Sequence, residues 1–143
     1  MTSPLERRFA LEAEAMIGTR FHHQGRLPGV GLDCVGLVWC AAKRAGVSAD
    51  WERGDEAGYS RLRDHALFIR ALRRRFDELG SDATIGPGKI LALWKRKRGH
   101  VSHCGIVDLS GEAMIHADST AGVIRSSLRG VWGERVVTVF GVR

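Results

Sequence analysis

The chain lacks any run of 18 apolar residues, which excludes a membrane-spanning helix of ordinary length. Its opening, MTSPLERRFALEAEAM, has no continuous apolar core and mixes acids with bases. It does not read as a secretory signal, and synthesis in the cytoplasm is the expectation. Cysteine is scarce: Cys34, Cys40 and Cys104 are odd in number and widely spaced. That argues against a disulfide framework and for a reducing compartment of synthesis. No internal repeat, low-complexity segment or nucleic-acid fold motif is visible. What is present is a 143-residue chain, 44% hydrophobic and 27% charged, with a formal net charge of +6. This fits one globular domain with a real core and allows an anionic partner without choosing it.

Residues 5–17 show helical spacing, with Phe9, Ala13, Met16 and Ile17 on one face and Gly18 as a stop. A turn-rich stretch (Gly25, Pro28, Gly29, Gly31) then leads into Cys34, where apolar spacing predicts a helix to Ala45 ended by Gly46. Residues 48–60 read as a connection. Residues 61–79 give the strongest helical stripe, Leu62, Ala66, Ile69, Leu72, Phe76 and Leu79, with Arg63, Arg70, Arg73, Arg74 and Arg75 mostly off it as a solvated face. After a break the periodicity becomes strand-like at 89–94, 101–109, 113–117, 123–127 and 136–142. Gly99, Ser110-Gly111, Ala121-Gly122 and Gly133-Glu134 are the turn points. Helices first and a meander of strands second predict an α+β fold.

The chemistry centres on Cys34. A helix N-terminus offers unpaired N–H groups and a positive dipole end, which favour a thiolate, the nucleophilic form of cysteine. His103 and His116 fall in successive strands around the Ser110-Gly111 turn, so their side chains can be neighbours on one face. One histidine taking the thiol proton, held by a second polar group, is how a thiol is activated, with His103 as base and His116 as the orienting group. Ordinary sheet histidines and a small buried cysteine are the plainer alternative. A zinc site drawn from His100, His103, Cys104 and His116 is disfavoured, because neighbours along a strand point to opposite faces; no metal or other cofactor is expected. Cys40 and Cys104 read as packing residues, and His65 as a surface residue.

These residues resemble a known family. Gly31-Leu32-Asp33-Cys34-Val35-Gly36-Leu37-Val38 is similar to the G-x-D-C-S-G-L-V signature of the NlpC-like cell-wall peptidases, which are papain-like cysteine hydrolases. His103-Cys104-Gly105-Ile106-Val107 resembles their H-V-G-I-Y strand, Met114-Ile115-His116-Ala117 their F-I-H-A strand, and Pro87-Gly88-Lys89-Ile90 their P-G-D-I strand start. The segment from Gly18 to Gly25 resembles G-T-P-Y-R-W-G. Gly122-Val123-Ile124 with Ser126-Ser127-Leu128 resembles the family segment next after the second histidine strand. The matches run in family order over most of the chain.

The resemblance implies a papain-like fold, N-terminal helices with the nucleophile helix packed on an antiparallel sheet, in one domain over residues 1–143. It implies Cys34 as nucleophile, His103 as base and His116 as third member, acting on an amide of peptidoglycan stem peptides, commonly between D-glutamate and the diamino acid. Donors at the helix start, including the Cys34 N–H, would hold the oxyanion. The compact size and the absence of a leader resemble the subgroup carried by phage tails and gene transfer agents. That implies tail or baseplate partners and action on the cell wall, with no membrane partner and no nucleic acid expected. Three positions depart from the pattern. The family serine that, with Asp33, helps hold a substrate amine is Val35; the family tyrosine is Phe21; the aspartate after Pro-Gly is Lys89. Asp33, Phe21, His23 and Gln24 are the candidate substrate-binding residues, with His23 or Gln24 able to supply the missing donor. A non-catalytic tail or wall-binding module, or another papain-like reaction such as an amidase, transpeptidase or acyltransferase, would use the same fold. The basic run Lys95, Arg96, Lys97 and Arg98 is placed near the mouth of the Cys34 cleft.

Overall fold

A computed structural model describes residues 1–49, 51 and 65–143. The chain opens with helix α1 (Pro4–Glu14), started by a reciprocal capping box between Ser3 and Glu6 with proline in its first turn. Phe9, Ala10 and Ala13 form its buried face. The helix is shorter than its periodicity predicts: residues 15–18 are turn, Met16 is buried, and Ile17 is 38% exposed rather than on the inner face. The backbone needs this early end, because the Gly18 N–H donates to the Val123 carbonyl, which a continued helix would not reach.

A small hairpin follows, β1 (Arg26–Leu27) and β2 (Gly31–Leu32), in the stretch read from sequence as turn alone. It delivers the chain to α2 (Cys34–Ala45). Asp33 caps this helix, its carboxylate accepting from the Gly36 N–H at 2.7 Å, and Gly46 closes it in the left-handed region. A cap of this kind is worth about 1 kcal/mol. Both ends lie where the sequence predicts. Helix α2 is buried nearly all round because α1 lies on one side and the sheet on the other.

Helix α3 (His65–Arg75) and strand β3 (Asp77–Gly80) replace the single long helix expected over 61–79. Its beginning, and most of the 48–60 connection, lie outside the described residues. Asp77 and Glu78 pair with Gly141 and Phe140, so a sheet edge takes the backbone that the Phe76 and Leu79 spacing assigned to helix. Leu79, predicted to be on the buried stripe, is 46% exposed. Arg75 also departs from the expected solvated face: it is 2% exposed, with its guanidinium 4.8 Å from the Trp39 ring centroid. His65, expected at the surface, is half-buried and accepts the Val101 N–H at 2.8 Å.

The rest is antiparallel sheet: β4 (Ile90–Trp94), β5 (Val101–Val107), β6 (Ala113–Asp118), β7 (Gly122–Ser127) and, after the short helix α4 (Val131–Glu134), β8 (Val136–Gly141). Spatial order is β3-β8-β4-β5-β6-β7. The five strands expected from 89 onward are all present. Helix α4 stands where Gly133-Glu134 was read as a turn. The principal core joins α1, α2 and α3 to one face of the sheet through Phe9, Leu37, Trp39, Phe68, Leu72 and Ile106. A smaller cluster, Leu91, Leu93, Val107, Met114 and Val139, is joined by Trp132 from α4. Among the described residues no helix is long and apolar enough to cross a membrane.

Candidate active site

Asp33 fixes where α2 begins, and so fixes Cys34 as the first helical residue, 5% exposed. An N–H at that position has no carbonyl one turn back to bond. Strand β5 holds this first turn from below: the Cys104 thiol donates to the Cys34 carbonyl at 3.4 Å. Burial, and then the neighbouring Cys34, push the Cys104 thiol well above its usual range, so it stays a neutral donor. Cys104 is therefore a packing residue, as expected. Cys40 is half-buried and donates to the Arg26 carbonyl.

His103 and Cys104 are adjacent on β5 and do different work. Cys104 lies in the core beneath α2, whereas His103 meets His116 and Trp132. The pairing of β4 with β5 shifts register between Leu93 and Trp94, beside His103, the kind of irregularity that re-aims a side chain. His103 Nε2 lies 2.8 Å from His116 Nδ1, and His116 Nε2 lies 2.8 Å from the Ser126 hydroxyl on β7. Trp132 packs on both imidazoles, with ring centroids 5.5 Å from His103 and 4.9 Å from His116.

A histidine nitrogen that donates cannot also accept, so this chain of contacts has a direction. If His116 Nε2–H donates to Ser126, its Nδ1 accepts from His103 Nε2–H. That leaves His103 Nδ1 as a lone pair, able to take a proton. The reverse order would protonate His103 Nδ1 and disable it as a base. Burial keeps both rings uncharged: His103 is held well below 6.5 by burial, then by His116 and Lys95, and His116 is lowered to about 4 by burial and Lys95, against the pull of Asp118.

Cys34 and His103 line one pocket of about 200 Å³, together with Phe21, His23, Asp33, Lys95, Arg96, Ser102, Ala117 and Ser119. The sequence-derived candidates Cys34, His103, Asp33, Phe21 and His23 are thus brought together. His116 stands behind His103, and Gln24 contributes its backbone, donating to Asp33 Oδ2 at 2.9 Å. Asp33 itself is 1% exposed and accepts from Arg26 Nη1 at 2.8 Å as well as from Gly36. Sequence reasoning missed three contributors. Ser126 stood out in the sequence only within a strand and a family-like segment, without a role; Trp132 lies in an unpredicted helix, and Arg26 reaches Asp33 because the β1–β2 hairpin pairs Arg26 with Leu32. Among the described residues no group of three or more His, Cys, Asp or Glu could hold a metal ion.

A capped cysteine helix laid on an antiparallel sheet that carries a histidine pair defines a papain-like architecture. The model of the NlpC/P60 family matches residues 18–141, and the chain belongs to that family. Solved structures of similar fold include the NlpC/p60 domain of peptidoglycan hydrolase SagA (20% identity, TM-score 0.63, 95% of this chain and 97% of that one). NlpC2 from Trichomonas vaginalis is similar at 17% identity and TM-score 0.70, over 97% of this chain and 46% of that one. An NLP/P60-family protein described as similar to lipoprotein, from Staphylococcus aureus subsp. aureus Mu50, is similar at 18% identity and TM-score 0.64, over 99% of this chain and 42% of that one. The chain therefore spans less than half the length of two of these three structures. No curated protein matches it significantly in sequence.

Proposed function

We propose that the protein is a cysteine peptidase that hydrolyses amide bonds in peptidoglycan stem peptides, with Cys34 as nucleophile, His103 as base and His116 as the residue that orients it. The observation that carries this reading is the 2.8 Å contact between His103 Nε2 and His116 Nδ1, made beside a pocket that His103 shares with a cysteine at a helix N-terminus. His103 Nδ1 takes the Cys34 thiol proton and the thiolate attacks the carbonyl carbon, while the Cys34 N–H faces the developing oxyanion. The C–N bond breaks as His103 returns the proton to the leaving nitrogen. His103 then takes a proton from water, hydroxide attacks the thioester, the C–S bond breaks, and Cys34 regains its proton.

Membership of the NlpC/P60 family and the fold shared with the peptidoglycan hydrolase domain support the substrate class. The bond we favour is that between D-glutamate and the diamino acid. The setting we favour is a phage-like tail or gene transfer agent particle, with tail or baseplate proteins as partners and local action on the wall; the sequence resemblance is its support. Turnover of purified sacculi by the protein and by Cys34→Ala tests the reading. Release of soluble fragments by the first and none by the second is expected. Equal binding with no release by either would make the chain a wall-binding module.

A further inference from the structure

The charge of the pocket is set by a division of labour among four residues. Asp33 is the only carboxylate among its described lining residues. Both its oxygens are occupied: Oδ1 by Arg26 Nη1 at 2.8 Å and the Gly36 N–H at 2.7 Å, Oδ2 by the Gln24 N–H at 2.9 Å. With its charge balanced by Arg26 and 1% of its surface exposed, it has little to offer an incoming cation. Phe21 and Val35 carry no hydroxyl that could help. The two cations of the lining, Lys95 and Arg96, form no ion pair among the described residues. Asp118, outside the lining, is near enough to interact with Lys95 and offsets part of its charge, while its Oδ2 accepts from the Thr120 and Ala121 N–H groups. The remaining polar lining, Ser102, Ser119 and the two imidazoles His23 and His103, adds no negative charge.

We propose that this pocket recognises a substrate carboxylate flanking the scissile amide through Lys95 and Arg96, and that it disfavours a free ammonium group at that place. This rests on the reading of Cys34 as the nucleophile of a peptide hydrolase and names the substrate feature that the site selects. A cleft whose accessible charge is mainly of one sign concentrates ligands of the opposite sign. The acceptor is a peptide whose acyl or leaving residue keeps an unamidated carboxyl group, such as a stem peptide with free iso-glutamate, and not one with the corresponding carboxamide.

The test has two arms with separate readouts. In the first, Cys34 is labelled with the anionic sulfonatoethyl and the cationic trimethylammonioethyl methanethiosulfonates, and its rates are read by peptide mass mapping, each normalised to free cysteine. The anionic reagent should be favoured about tenfold, less at high salt, and the preference should vanish in the Lys95→Gln/Arg96→Gln variant. In the second, synthetic stem peptides with iso-glutamate or iso-glutamine are compared. The amidated peptide should lose about tenfold in kcat/KM, chiefly through KM, and the double variant should not distinguish the two. A normalised label ratio near one that is unchanged in the double variant overturns the proposal. So does equal cleavage of both peptides by the unaltered protein. A strong charge preference at Cys34 with no cleavage of any peptide would leave the anion pocket standing and remove the hydrolase reading instead.

Discussion

His103 Nε2 and His116 Nδ1 meet at 2.8 Å just beyond the point where the backbone ladder between their strands stops. Pairing of β5 with β6 runs through Val107–Met114 and Ile106–Ile115, and past it the two side chains take over the connection. A hydrogen bond there does more than hold two strands together. Its direction decides which nitrogen of His103 keeps a lone pair, and the Ser126 hydroxyl, able to donate or accept, is the partner of His116 on its far side.

In the order that leaves His103 Nδ1 with its lone pair, Ser126 accepts from His116 Nε2–H and acts as a positioning residue. Ser126→Ala should lower kcat about fivefold, the worth of one hydrogen bond of about 1 kcal/mol, with KM little changed. Ser126→Thr should keep most of the rate. His116→Ala should be more damaging than His116→Asn, since an amide oxygen can still accept from His103 Nε2–H. Nitrogen-15 spectra of the imidazoles read the tautomer directly: the native protein should show His103 protonated at Nε2, and Ser126→Ala a mixture.

Burial of the pair has a cost that appears on acidification. Both imidazoles are held below 6.5 in the folded chain, so as pH falls the unfolded chain binds protons first and stability declines. For His116, lowered to about 4, the loss between pH 6.5 and 4 is on the order of 3 kcal/mol. Denaturant melts across that range should show a steep fall in midpoint. His116→Gln, which cannot take up the proton, should flatten it.

Burial is the larger influence on the pair, and Lys95 adds to it from the β4–β5 loop, lowering both imidazoles further. Lys95→Gln should therefore raise the titration midpoints of His103 and His116 and move the acidic limb of kcat/KM to higher pH. Proton NMR titration of the histidine ring signals checks the direction, and an unchanged His116 midpoint would show that Lys95 does not reach the pair.

Gly105 sits beside His116 for a steric reason. A methyl group on it would lie 2.9 Å from the Met114 sulfur, 3.2 Å from the Ile115 carbonyl oxygen and 3.3 Å from His116 Cβ. The sulfur can swing aside, whereas the carbonyl and the base of His116 belong to the strand. Gly105→Ala should thus displace His116 and reduce turnover more than it reduces stability. Activity and melting temperature measured together check this.

Much of this was legible in the chain itself. The Cys34 helix could be bounded because Asp33 and Gly46 are local signals whose effect does not depend on distant residues. The five later strands could be found because alternation and turn glycines mark them. Failures came where a distant partner decided the matter. Phe76 and Leu79 continue a helical stripe, but β8 offers backbone hydrogen bonds that end it. Arg75 looks like surface charge until Trp39 is placed beneath it. The candidate site divides in the same way: Cys34, His103 and His116 could be singled out from motif order, whereas Arg26, Ser126 and Trp132 enter only through contacts across the fold.

The central claim, that Cys34 hydrolyses a wall amide, is tested most directly by digesting purified peptidoglycan in oxygen-18 water and analysing the fragments by mass spectrometry, with Cys34→Ala in parallel. New carboxyl ends should appear at one stem-peptide bond, each carrying one oxygen-18 atom from the water that resolved the thioester, and none should appear with Cys34→Ala. New ends that also form with Cys34→Ala, or fragments joined to another amine with no label incorporated, would contradict it.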